Sequence, residues 1–107
     1  MDSDLAVRAL GALAHESRLA VFRLLIEAGP AGLAAGVISD ALGVAPSALS
    51  FHLKDLVHSD MASMRYEGRK IFYAAKFETM NALIGYLQAN CCQGVACAID
   101  SEPVCCP

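Results

Sequence analysis

Gly43-Val44-Ala45-Pro46-Ser47-Ala48-Leu49-Ser50-Phe51-His52-Leu53-Lys54-Asp55-Leu56 is the stretch on which the fold turns. Pro46 suits the first position of a helix, where the missing N–H has no partner to lose. Leu49, Leu53 and Leu56 then recur at helical spacing, with Val57 beside them, and predict one buried stripe. Ser47, Ser50, Phe51, His52 and Lys54 fall outside that stripe and face outward. Hydroxyl and imidazole groups can reach base edges or phosphates, and a lysine suits phosphate. A short helix whose inner face is leucine and whose outer face carries these groups is a candidate DNA-reading helix.

On the N-terminal side, Val7, Leu10 and Ala14 recur at helical spacing over residues 4–14. His15-Glu16-Ser17 interrupts the pattern, and residues 18–28 resume it with Leu19, Phe22, Leu25 and Ile26 on one face. Gly29-Pro30 ends this second helix. A third helix is predicted over 33–42, so Gly43-Val44-Ala45 becomes the tight turn leading into the fourth. On the C-terminal side, residues 61–66 and 70–75 favour strands around Glu67-Gly68-Arg69 and read as a hairpin. Arg65, Arg69 and Lys70 cluster near its tip, where they would lie over the neighbouring backbone or minor groove. A last helix over 78–90 places Met80, Leu83, Ile84 and Leu87 on one stripe, which Cys91 continues. This order predicts a mainly α fold with a β-hairpin wing, a winged helix-turn-helix, and exposed stripes on the first and last helices predict that it is dimeric. Residues 1–90 form the DNA-binding and dimerisation domain, and 91–107 a cysteine-rich ligand-binding tail.

Composition narrows the partners. A chain of 107 residues is one domain with a small core, and 56% hydrophobic content favours burial against a second copy. A net charge of −3 argues against an indiscriminate nucleic-acid binder. Between Ser47 and Lys76, however, five basic residues stand against three acidic ones, which permits a local basic face. Asp2 and Asp4 occupy the start of the chain in place of the basic region of a signal peptide. Residues 79–99 are uncharged, but Asn81, Gln88, Asn90 and Gln93 interrupt them, so no membrane span is predicted. The expected location is the cytoplasm, where thiols stay reduced and serve as ligands before disulfides.

Three segments together resemble the ArsR/SmtB-type metalloregulatory repressors. Residues 48–56, Ala-Leu-Ser-Phe-His-Leu-Lys-Asp-Leu, are similar to that family's recognition helix. Residues 10–19, Leu-Gly-Ala-Leu-Ala-His-Glu-Ser-Arg-Leu, resemble its first-to-second helix junction, and residues 66–73, Tyr-Glu-Gly-Arg-Lys-Ile-Phe-Tyr, its wing. The resemblance spans roughly residues 5–90 and implies a homodimer joined through the first and last helices. It also implies a palindromic double-stranded operator from which an ion releases the protein. Two positions depart from the pattern. Ala45 stands where a capping serine or threonine is expected, a loss worth about 0.5–2 kcal/mol, and Ser59-Asp60-Met61 lacks the usual glycine.

All five cysteines lie in the tail, as Cys91-Cys92, Cys97 and Cys105-Cys106. Thiolates select soft ions over magnesium or calcium. Trivalent arsenic and antimony form pyramids with three thiolates, because a lone pair fills the fourth direction. Cys91, Cys92 and Cys97 can supply them, since Gln93-Gly94-Val95-Ala96 can curl back. Cys105 and Cys106, flanked by Pro103 and Pro107, are assigned an accessory role. As(III) or Sb(III) is therefore the expected inducer, and no other cofactor is required. Structural zinc favours Cys-x2–4-Cys pairs with histidine, and His15, His52 and His58 all lie outside the tail. The last helix also lacks the Asp and His ligands of the zinc-sensing relatives. Cadmium or lead sensing, and a redox or persulfide switch on the same fold, are the alternative functions. A pure protein-interaction module is a third class. No arginine follows Arg69, so the phosphate-cradling loop of a thiol-dependent reductase or phosphatase is missing and the chain is not read as an enzyme.

Overall fold

A computed structural model describes residues 1–90. Five helices and three short strands follow one another as α1 (Ser3–Leu13), α2 (Glu16–Ala28), β1 (Leu33–Ala34), α3 (Ala35–Leu42), α4 (Pro46–His58), β2 (Ala62–Glu67), β3 (Lys70–Ala75) and α5 (Phe77–Gln88). The mainly helical winged helix-turn-helix expected from the sequence is present, with a three-stranded antiparallel wing in the order β1-β3-β2. The tail, with Cys91, Cys92, Cys97, Cys105 and Cys106, lies outside the described residues.

The element boundaries follow from local chemistry. Asp2 caps α1 by accepting a hydrogen bond from the Leu5 N–H at 2.9 Å, and His15 caps α2 by accepting one from the Ser17 N–H through Nδ1 at 3.1 Å. Gly43 ends α3 in the left-handed region at φ 65°, where glycine pays no Cβ penalty. The Ser39 hydroxyl reinforces that turn by donating to the Val44 carbonyl at 2.6 Å. Pro46 opens α4, and Ala45 caps it without a side-chain hydrogen bond, as the sequence implies. At the far end Asp60 adopts φ 64° in the place where glycine was expected. Its neighbour Met61 returns an N–H to the Leu56 carbonyl at 2.9 Å and closes the helix.

Leu49, Leu53 and Leu56 are all buried, and they meet Val21 and Leu25 of α2, Ile38 of α3, and Met61 in one core. Two expectations change, in α2 and α5. The first helix carries an exposed stripe as expected: Ala6, Ala9 and Ala12 face the core, while Val7 is 64% and Leu10 42% exposed. Alanines let α1 lie close against the chain, so its bulkier face turns outward. In α2, Val21 takes the buried position and Leu19 is exposed. In α5, Leu83 is buried, Met80 packs beside it, and Ile84 and Leu87 face out.

The third helix also starts later than predicted, because Leu33 and Ala34 pair with Tyr73 and Phe72 as strand β1. Gly32 dictates this. Its φ is +73°, and a Cβ there would overlap the Tyr73 backbone carbonyl. Gly32→Ala is therefore expected to lower stability by about 2 kcal/mol or more through backbone strain and steric overlap. Gly36→Ala, at a helical position with open space around it, is expected to be neutral or stabilising by up to ~1 kcal/mol. Urea unfolding midpoints of the two variants check the contrast.

Candidate nucleic-acid interface

The leucine edge of α4 sets what the rest of that helix presents. Ser47, Ser50, Phe51 and Lys54 are exposed, and Phe51 is 70% exposed, the highest value among the large hydrophobic residues described. At the wing, β2 and β3 pair from Ala62↔Ala75 to Glu67↔Lys70, and Gly68-Arg69 forms the tip with Gly68 at φ 65°. Arg69 and Lys70 are exposed there. Neither they nor Lys54 makes an ion pair among the described residues. Three cations are thus available to an outside anion.

Two of the predicted DNA-facing residues stand differently. Arg65 is bound within the fold: its Nε donates to Glu67 at 2.6 Å, its Nη1 donates to the Ala31 carbonyl at 2.7 Å, and its guanidinium lies 4.8 Å from the Phe72 ring centre. It holds the wing to the loop before β1. His52 is half-buried and does not share the outward face of Ser50 and Phe51. Its ring packs against His15 with centres 4.9 Å apart, and its Nδ1 is buried without a hydrogen-bond partner among the described residues. Helical spacing placed His52 at the edge of the leucine stripe, and the His15 side chain at the α1–α2 junction draws it in.

Around α4 runs a set of polar ties that sequence reasoning missed, because most of them join residues far apart in the chain. Arg8 Nη2 donates to the His58 carbonyl at 2.8 Å, at the negative end of the α4 dipole. Arg18 Nε donates to the Ala12 carbonyl at 2.7 Å, and its Nη1 meets Asp55 at 3.0 Å. The Lys76 ammonium and the Thr79 hydroxyl both donate to Asp60, joining the start of α5 to the end of α4. The Lys76 hydrogen bond is the main reason that the Asp60 carboxyl titrates below its ordinary value. Among the described residues, no group of three or more His, Cys, Asp and Glu side chains converges as ion ligands. No described helix is long and apolar enough to cross a membrane.

A helix-turn-helix domain family matches residues 13–65, the segment from the end of α1 through α4 into the wing. The transcriptional activator HlyU of Vibrio cholerae is 33% identical over 92 residues, covering 86% of this chain and 82% of that protein. The chain belongs to the ArsR family of winged helix-turn-helix transcriptional regulators. The HlyU structure from Vibrio cholerae N16961 superposes with a TM-score of 0.65 at 30% identity, covering 87% of this chain and 100% of that one. An ArsR-like transcriptional regulator from Rhodococcus sp. RHA1 shares the fold with a TM-score of 0.74 at 23% identity, over 85% of this chain and 83% of that one. So does Mb0332 of Mycobacterium bovis, a homodimeric winged helix-turn-helix domain, with a TM-score of 0.66 at 24% identity over 86% and 85% of the two chains. An ArsR-family regulator binds DNA and is not an enzyme.

His52 gives this family member a measurable pH signature. Burial is the first cause that lowers its pKa from 6.5, followed by the neighbouring His15 and Arg18, while Asp55 acts in the opposite sense. The folded state therefore binds that proton less readily than the unfolded chain. The His52 contribution is present in full above pH 6.5 and is lost as pH falls through the lowered value. Unfolding midpoints taken from about pH 7.5 to about pH 5.5 should fall for the native chain and fall less for His52→Gln. Asp60 titrates below 3.8 and does not contribute in that window.

Proposed function

We propose that this ArsR-family regulator is a homodimeric repressor, released from its operator when As(III) or Sb(III) binds the thiolates of Cys91, Cys92 and Cys97. The observation that carries the reading is the placement of Cys91 and Cys92, with Cys97 following, directly after the helix that bears an unpartnered apolar face. Ile84, Tyr86 and Leu87 of α5 are exposed, as are Leu5, Val7 and Leu10 of α1. The two helices are in contact, and Ala6, Ala9 and Ala12 of α1 belong to the same core as Leu83 of α5. Apolar surface of this extent favours a second copy of the chain, and α1 with α5 forms the joint.

In the dimer, two α4 helices read two half-sites of a palindromic operator about one turn, ~34 Å, apart. Ser47, Ser50 and Phe51 face base edges, Lys54 faces phosphate, and Arg69 with Lys70 lies along the neighbouring backbone. Arg65 acts by holding the wing. An ion that draws three thiolates together at the end of α5 moves that helix. The motion reaches α4 through Lys76, Thr79 and Asp60. A change in the spacing of the two α4 helices costs operator affinity, and by linkage DNA weakens ion binding by the same factor. Free thiols titrate near ~8.5, so ion binding displaces protons and weakens in acid.

The test is operator binding measured against arsenite, antimonite, zinc, cadmium and lead, with thiol counts and mass in the presence of an oxidant. Release by arsenite or antimonite is expected. Serine at Cys91, Cys92 or Cys97 is expected to abolish that release while leaving DNA binding intact, and serine at both Cys105 and Cys106 to have a smaller effect. Normal release from a Cys91, Cys92 or Cys97 serine variant removes the three-thiolate site, and release only on oxidation favours a dithiol switch. Arg69→Ala should flatten the logarithmic salt dependence by about 0.9 for each lost phosphate contact. Sedimentation that shows only monomer at micromolar concentration sinks the dimer.

A further inference from the structure

The most exposed large apolar side chain of the described residues is neither on α1 nor on α5. It is Phe51, 70% exposed on α4, one residue from Ser50, three from Lys54 and four from Ser47. These four residues form a single helical face, because neighbours three and four apart lie side by side. A phenyl ring on the surface of a monomer has no stabilising role there. The core face of α4 is complete without it: Leu49, Leu53 and Leu56 are at most 1% exposed. The residues one turn from Phe51 on its helix are Ser47, Ala48, Lys54 and Asp55, none of them large and apolar, whereas Val7 lies one turn from Leu10, and Ile84 one turn from Met80 and Leu87.

The chemistry of the ring limits what it can recognise. Phenylalanine neither donates nor accepts an ordinary hydrogen bond, so it cannot read the donors and acceptors that distinguish most base edges. One feature of the major groove is apolar: the C5-methyl group of thymine. Lys54, one turn along the helix, is without an ion-pair partner among the described residues, whereas Asp55, on the same helix, is engaged by Arg18. The face is therefore polar and cationic at its edges and apolar at its centre.

We infer that Phe51 is a specificity-determining residue that reads a pyrimidine C5-methyl group, normally that of a thymine, at one position in each operator half-site. The inference rests on α4 being the DNA-reading helix. Ser47 and Ser50 would serve the polar edges of adjoining bases, and Lys54 the phosphate. Because the recognised group is a methyl and not a base-pairing edge, 5-methylcytosine at that position presents the same surface. Deoxyuridine, which pairs like thymine, does not.

The experiment begins with selection of the preferred duplex from a random pool by the full-length chain. Each thymine of the selected duplex is then replaced singly, and in symmetric pairs, by deoxyuridine, and affinity is read by fluorescence anisotropy at fixed salt. A methyl group removed from water is worth about 0.8 kcal/mol, or about 4-fold in affinity per half-site and ~15-fold for the symmetric pair. One symmetric pair of thymines is expected to show that loss. Phe51→Ala should bind the thymine duplex correspondingly more weakly and lose its preference for thymine over deoxyuridine at that pair alone. A C·G pair there should recover affinity when its cytosine carries the C5-methyl. Phe51→Leu, which keeps an apolar tip, should retain part of the preference. Indifference of the native protein to every thymine-to-uracil replacement overturns the inference, and that result does not depend on any variant folding. If the scan is flat while Ser50→Ala and Lys54→Ala lose affinity, α4 still reads DNA and Phe51 does not read a methyl. If the pool yields no enriched duplex, or if Ser50→Ala and Lys54→Ala bind normally, the DNA-reading role of α4 fails first.

Discussion

The structure depends on a single line of three leucines. Leu49, Leu53 and Leu56 seat α4 against Val21, Leu25 and Ile38, and each is at most 1% exposed. A helix held along one edge cannot rotate about its axis without bringing leucine into water. The orientation of Ser47, Ser50, Phe51 and Lys54 is thus a by-product of core packing. The margin is small, since truncating one buried leucine costs about 2–5 kcal/mol in a domain of about 5–15 kcal/mol. The same contacts that keep the chain folded keep its outer face aimed.

Polar ties complete what the leucines begin. Arg8 and Arg18 bind α4 to the first two helices, and Asp60 binds its end to Lys76 and Thr79 at the start of α5. Surface ion pairs such as these contribute little stability one at a time. Their effect is positional: three neighbouring helices are each fastened to α4. Asp60 shows the compromise most plainly. Glycine would adopt its φ of 64° without strain, but glycine has no carboxylate to offer Lys76 and Thr79.

The fold was legible in the sequence wherever one periodic face met one core. The spacing of Leu49, Leu53 and Leu56, the turn at Gly43 and the hairpin around Gly68 are local signals, and each is found where it was expected. In the first helix, periodicity identifies an apolar stripe without saying which partner covers it. Val7 and Leu10 form such a stripe, yet the chain's own core takes the alanines on the other side. Strand β1 was hidden because two residues carry no period, and its cause, the contact of Gly32 with Tyr73, spans 41 positions. His52 and Arg65 were assigned to the DNA face by residue type and approximate direction. The position of His52 is set by His15 and that of Arg65 in part by the Ala31 carbonyl, 37 and 34 residues away, whereas Glu67 and Phe72 hold Arg65 from within the hairpin. The thiol chemistry of the tail was legible as composition and remains a matter of composition.

The alanine face of α1 has a thermodynamic consequence. Ala6, Ala9 and Ala12 offer one methyl group each to the core, so within a single chain α1 gains only about 0.8 kcal/mol per methyl from burial. Most of its apolar area is carried by Leu5, Val7 and Leu10 on the other side. If that side is covered by a second copy, α1 owes more of its order to association than to its own chain. Folding and pairing then become one equilibrium, in which dilution acts as a denaturant and the melting temperature climbs with protein concentration.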